Sequence, residues 1–163
     1  MAQAAVAHIG QQETFMKFST FMTASLLGLA AVTFAHAADE PQVVRQEMMK
    51  KVGGATGAMA KMVKGETPYD QAAAIAALQT IADTMTLFPK QFPEGSETGF
   101  ETEASPKIWA DKADFEAHAM KLQADAQAAI AANPSDLDGL KAVFGPLTKN
   151  CGSCHETYRL KKG

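Results

Sequence analysis

The sequence is poor in cysteine, and its charge is close to balanced. Only two of its 163 residues are cysteine, and they lie three positions apart, too close to cross-link a fold usefully. The formal net charge of -3 lacks the basic excess of a nucleic-acid-binding surface, so no nucleic-acid partner is expected. With 47% apolar and 20% charged residues, the chain is typical of one soluble globular domain.

The sequence also lacks an apolar run long enough to span a bilayer. The run at residues 21–34 falls short of the roughly 20 residues that a membrane helix needs, which disfavours a membrane anchor. Lys17 precedes it and Ala35-His36-Ala37 follows it, a pattern typical of a cleaved secretory signal. Residues 1–37 are therefore predicted to be an upstream extension plus a signal peptide. Residues 38–163 would form an exported, periplasmic domain that does not span the membrane.

No stretch of that domain alternates polar and apolar residues as a strand does. Proline and glycine instead divide it into four segments with helical period, at about residues 39–64, 68–88, 105–133 and 135–160. The stretch at 89–105 has no period and is predicted to be a long loop. This order predicts an all-α protein, an antiparallel up-down-up-down four-helix bundle.

The last segment carries the most informative pattern. Its apolar and cysteine positions repeat with 3-4 spacing: Leu137, Leu140, Phe144, Leu147, Cys151, Cys154 and Tyr158. Both cysteines are therefore predicted to lie on the core-facing side of a helix. His155 follows Cys151 by four residues and shares that side.

Cys-x-x-Cys-His is the attachment pattern of a covalent haem c. Each thiol of Cys151 and Cys154 can add to one porphyrin vinyl group, and His155 can then be the proximal iron ligand. A thioredoxin-like redox pair would need a βαβ surround, which the pattern lacks. A zinc site would need four ligands, and only His118 could complete it. One haem c is the cofactor that the sequence predicts.

The chain resembles the class II cytochromes c, which include cytochrome c′. The resemblance rests on the segments at residues 64–70, 106–109 and 151–159, and it covers nearly all of the exported domain. It implies a periplasmic haem protein, often a homodimer packed through its first two helices, so a homodimer is expected here. It also implies that Arg45 contacts a haem propionate, and Tyr158 is expected to pack against the porphyrin.

The same resemblance leaves the second axial position of the iron open, and that position falls on Met49. A methionine there either ligates the iron, as in low-spin relatives, or only covers it, as the apolar residue of cytochrome c′ does. Ligation would raise the potential and suit electron transfer, to a redox partner that the sequence does not name. A covered, five-coordinate iron would instead bind nitric oxide or carbon monoxide. We expect an electron carrier, with no enzyme activity and no catalytic residues. The other methionines considered are expected to fill the core: Met48, Met59, Met62, Met85 and Met120.

Overall fold

The computed structural model describes residues 40–161, so the predicted extension and signal peptide at residues 1–37 lie outside the described part. Within it the chain is helical, and its elements are α1 (Pro41–Val63), α2 (Gln71–Leu87), a 3-10 helix (Phe88–Gln91), α3 (Lys107–Ala110), α4 (Lys112–Ala132) and α5 (Leu137–Tyr158). In this range no helix has the length and apolar character needed to cross a membrane. The four long helices α1, α2, α4 and α5 confirm the predicted bundle.

Short acidic side chains set the starts of three helices. Asp70 accepts a hydrogen bond from the backbone N–H of Ala73 at 3.0 Å, and Asp136 accepts one from Gly139 at 2.8 Å. Each bond satisfies a backbone donor that has no partner within its helix, and the negative charge suits the helix N-terminus. α1 has no such side-chain cap and begins instead with Pro41, whose fixed φ suits a first helical position.

The third predicted segment is not one helix. α3 is a single turn, and the chain leaves helical geometry at Asp111, where φ is -136° and ψ is 64°. The Asp111 carboxylate then accepts from the backbone N–H of Asp114 and begins α4. Aspartate competes with the helical backbone for such bonds, which explains the break. The predicted loop at 89–105 also differs, because the 3-10 helix continues α2 into it.

The bundle closes around an apolar core. α2 packs against both α1 and α4, and α5 packs against α4 and α1. The largest fully buried side chains are Phe115, Met59, Leu78, Ile81, Leu140 and Leu147. Met59, Met62 and Met85 are buried in it as predicted, but the core prediction for Met120 is wrong, since 57% of that residue is exposed.

The end of α5 is fixed to the segment that precedes α3. The N–H of Ser105 donates to the carbonyl of Tyr158 at 3.0 Å, and the N–H of Leu160 donates to the carbonyl of Glu103 at 2.8 Å. These two bonds form a short antiparallel bridge at the end of the helix that carries both cysteines. The long connection is therefore joined to the candidate site.

Candidate haem-attachment site

Cys151 and Cys154 are free thiols one turn apart on α5. Both are half-buried and pack against the apolar core, as the 3-4 pattern predicted. Burial raises the pKa of both, and that of Cys154 reaches about 11, with the nearby Cys151 and Asp114 as further causes. At neutral pH both side chains are therefore neutral thiols facing the interior. This disfavours a reactive thiolate pair, which needs a lowered pKa.

His155 directly follows Cys154, one turn after Cys151, and keeps much of its surface exposed. Partial desolvation of the ring lowers its pKa, and the Arg159 guanidinium lowers it further, although the Glu103 carboxylate acts in the opposite direction. The imidazole is thus held neutral at pH 7, with a lone pair available on one ring nitrogen. A neutral imidazole is the form that ligates a metal.

The protein's own donors fit an iron carried by a porphyrin better than a metal held by side chains alone. Among residues 40–161, no three His, Cys, Asp or Glu side chains come together in a way that could hold a metal ion. An iron bound by His155 must therefore take most of its ligands from another group. Two inward-facing thiols one turn apart on α5 supply the covalent anchors that haem c requires.

On the facing helix, Met49 is half-buried and packs against the core. Met48 is half-buried too, so burial does not distinguish the two. Consecutive residues of a helix point about 100° apart, and therefore at most one of these methionines can face the iron. α1 packs against α5, the helix that carries both cysteines. Ligation by Met49 stays a prediction.

Arg45 lies one turn before Met49, and only 4% of its surface is exposed. Its Nη2 donates to the Ser96 carbonyl at 2.8 Å and to Thr102 Oγ1 at 2.6 Å. Its Nη1 donates to Ser96 Oγ at 3.2 Å and to the Gln91 carbonyl at 3.4 Å. All four Nη hydrogens are therefore directed at the connection between α2 and α3. The predicted propionate contact would have to use the remaining Nε–H.

Aromatic rings enclose the Arg45 guanidinium on its apolar side. Its central carbon lies 4.9 Å from the centre of the Phe92 ring and 5.6 Å from that of Trp109. The two rings meet edge to face, and the Trp109 indole N–H donates to the Pro93 carbonyl at 3.1 Å. Cation–π contacts of this kind favour the buried charge.

Tyr158 is buried at the end of α5. Its ring packs edge to face on Phe115 and His118, and its hydroxyl donates to the Asp114 carboxylate. That hydrogen bond is the main cause that raises the pKa of Tyr158 to about 12. His118 Nε2 lies 3.6 Å from the same carboxylate. Contact between Tyr158 and the porphyrin stays a prediction. The hydrogen bond with Asp114 was not predicted, because no local pattern pairs these two residues.

The chain matches known proteins over its described length. The family model described as "Cytochrome C'" matches residues 40–159. Cytochrome c-556 from Agrobacterium fabrum is 46% identical over 147 residues, which covers 90% of this chain and 99% of that protein. Cytochrome c′ from Rhodopseudomonas palustris is 40% identical, covering 85% of this chain and 96% of that protein.

The solved structures agree with these relatives. A structure of cytochrome c′ from Rhodopseudomonas palustris superimposes with a TM-score of 0.74 at 42% identity, covering 76% of this chain and 98% of that one. A structural model of oxidised cytochrome c556 from the same species gives a TM-score of 0.69 at 35% identity, again with 76% of this chain and 98% of that one. Similarity at this level extends to the whole bundle.

Proposed function

Because this chain belongs to the cytochrome c′ family, we propose that it is a periplasmic electron carrier whose single haem c is attached through Cys151 and Cys154. When bound, the haem supplies an iron that gains and loses one electron. The chain's own residues hold that group, choose its axial ligands and exclude water from it. In this role the protein catalyses no reaction of its own.

The proximal side depends on α5. The half-buried thiols face the core, and each would form one thioether bond to the porphyrin. His155 would ligate the iron from the same turn of helix, since its lowered pKa keeps the imidazole neutral. Two thioether bonds and one iron–histidine bond from a single helix would limit how far the haem moves when the iron changes oxidation state. Small movement favours electron transfer, because little has to rearrange.

The distal side of the haem depends on Met49, and the burial of Met49 against the core is the observation that carries the proposal. Met49 is half-buried on α1 and packs on the same core as the two half-buried cysteines of α5, while Met59 and Met85 lie deep in that core. A thioether sulfur is a good ligand for ferrous iron and raises the potential. Met49 as sixth ligand therefore supports electron transfer.

Optical and EPR spectra of the purified protein, matured with haem in the periplasm, test this function. A low-spin ferric spectrum with a methionine–iron charge-transfer band supports ligation by methionine. A high-spin ferric spectrum, with rapid binding of carbon monoxide after reduction, contradicts it. A pyridine haemochrome spectrum without a c-type signal contradicts haem attachment altogether.

Those spectra also test a second function, a five-coordinate haem that binds nitric oxide or carbon monoxide. The similarity to cytochrome c′ from Rhodopseudomonas palustris favours this alternative. In it Met49 would cover the iron without ligating it, and the apolar surround would exclude water and anions. Carbon monoxide affinity and spin state separate the two functions in a single sample.

We also propose that two copies pair through α1 and α2, as is frequent among class II cytochromes c. Gly53, Gly54 and Gly57 support this, because a Cβ atom added at any of them would meet no atom within 4 Å. That open face of α1 has room for a second helix. Sedimentation velocity at several concentrations should show a dimer, and a monomer at all concentrations contradicts the pairing.

A further inference from the structure

Three side chains of the first two turns of α1 hold the connection between α2 and α3. Besides the four bonds from Arg45, Gln42 Nε2 donates to the Thr98 carbonyl at 2.7 Å and Gln46 Nε2 donates to the Phe100 carbonyl at 2.8 Å. Most of the accepting groups lie between residues 96 and 102. This segment, which we term the tethered loop, is thus fixed to one end of α1.

The backbone of the tethered loop includes residues in an unfavourable conformation. Gly99, Phe100 and Glu101 have φ values of 91°, 50° and 50°. The left-handed region suits glycine but is unfavourable for the two residues that follow. Gln46 donates a hydrogen bond to the carbonyl of Phe100, and Arg45 donates one to the hydroxyl of Thr102, which directly follows Glu101. The contacts with α1 therefore stabilise the loop, and the loop in turn holds α1.

The position of these tethers along α1 connects them with the iron. Gln42, Arg45, Gln46 and Met49 follow the i, i+3, i+4, i+7 spacing of one helix face. The loop therefore contacts α1 on the same face as Met49, beginning one turn before it. A methionine side chain has several rotatable bonds and does not orient itself, so the direction of its backbone matters.

We infer that Arg45 is a positioning residue for Met49: by holding the tethered loop, it fixes the rotation of α1 that aims the Met49 sulfur at the iron. This rests on the proposed ligation by Met49. It differs from the propionate contact expected from the sequence, in which Arg45 would act on the haem directly. The two roles differ in what they predict for a substitution of a loop residue that accepts from Arg45: it should affect ligation by Met49 if Arg45 acts through the loop, and not if Arg45 acts on the haem directly.

The test compares three variants of the haem-loaded protein: Arg45→Lys, Thr102→Val and the control Thr98→Val. Arg45→Lys keeps the positive charge but cannot donate in the directions of both Nη atoms. Thr102→Val keeps the shape and removes the acceptor of the 2.6 Å bond from Arg45, together with a 3.2 Å bond that Thr102 Oγ1 accepts from the Ala104 N–H. Thr98 is exposed and accepts from Gln42 through its carbonyl alone, so Thr98→Val should leave the loop intact.

The readouts are the methionine–iron charge-transfer band and the ratio of high-spin to low-spin ferric protein by EPR. Thr102→Val removes one of the four hydrogen bonds of Arg45 and should change this ratio by about fivefold. Arg45→Lys removes several of them and should change the ratio by at least as much, and Thr98→Val should not change it. The double variant of Arg45 and Thr102 should show less than the product of the two single effects, because both remove the same contact.

Each other result overturns the inference. An effect in Arg45→Lys without one in Thr102→Val means that Arg45 acts on the haem itself. No effect in either folded variant means that the loop does not position Met49. A high-spin wild type contradicts the proposed function first, and the inference falls with it. If Arg45→Lys does not fold, Thr102→Val alone decides.

Discussion

Tyr158 lies on α5 one turn beyond His155, and its hydroxyl donates a hydrogen bond to the Asp114 carboxylate on α4. The same carboxylate lies 3.6 Å from His118 Nε2. This contact fixes the end of α5, the helix that carries both cysteines, to α4 through a single acidic group. The neutral form of the tyrosine is the one that can donate, so the contact depends on pH.

We expect Tyr158 to ionise with a pKa of about 12, above the ordinary value of 10.0, because the neutral hydroxyl donates to Asp114. A pKa raised by folding means that the stabilisation is fully present below the ordinary pKa and is lost as pH rises through the folded value. Stability should therefore decline between about pH 10 and pH 12. Difference absorbance of phenolate between wild type and Tyr158→Phe separates this group from Tyr69, whose pKa is also raised.

Asp114→Asn is the matched variant for that titration. It removes the charged acceptor and keeps the shape of the side chain, so the pKa of Tyr158 should move back towards its ordinary value. An unchanged midpoint in Asp114→Asn would mean that burial alone, and not the hydrogen bond, raises this pKa.

Met49→Ala should convert a low-spin protein to a high-spin one, because alanine has no sulfur to ligate the iron. Met48→Ala is the control, since the Met48 side chain points about 100° away from that of Met49 on the same helix and is also half-buried. The charge-transfer band and the EPR spectrum report the change. Conversion in Met48→Ala but not in Met49→Ala would mean that Met48, and not Met49, ligates the iron.

Cys151→Ser and Cys154→Ser should each leave one thioether bond, and the double variant should leave none. A hydroxyl does not form the bond that a thiol forms with a vinyl group. Haem should therefore stay with the denatured chain in both single variants and separate from it in the double variant. Denaturing gels stained for haem give the answer, and haem retained by the double variant would contradict attachment at these residues.

Leu140→Ala should lower the free energy of unfolding by about 2–5 kcal/mol, because Leu140 is fully buried and the change leaves a cavity. Met120→Ala removes a side chain of similar size from an exposed position of α4 and should change stability by less than about 0.5 kcal/mol. Urea unfolding of both variants with haem bound measures the difference. Equal losses would mean that Met120 packs against something in solution.

The sequence predicted the features that depend on local periodicity. The bundle, the ends of α1 and α2 and the inward side of Cys151 and Cys154 all follow from apolar spacing and from proline and glycine. The break at Asp111 did not, because a capping aspartate inside an apolar period looks the same as a solvent-facing one. The exposure of Met120 was also missed, since a methionine fits either environment.

The contacts of Arg45 are the clearest example of what the sequence could not contain. Its hydrogen bonds reach residues 46 to 57 positions away, in a segment without any period. Nothing in the local pattern pairs an arginine with a serine and a threonine at that distance. Such pairings depend on how the connection folds back on α1, and that is a property of the whole bundle.

The tethers between α1 and the loop also imply a two-way linkage. If the loop favours ligation by Met49, ligation must favour the loop by the same free energy, because coupling between two equilibria is reciprocal. Ferrous iron holds a thioether sulfur more strongly than ferric iron does. Reduction would therefore stabilise the backbone around Phe100 and oxidation would destabilise it, so that a redox partner that contacts this loop could distinguish the two oxidation states.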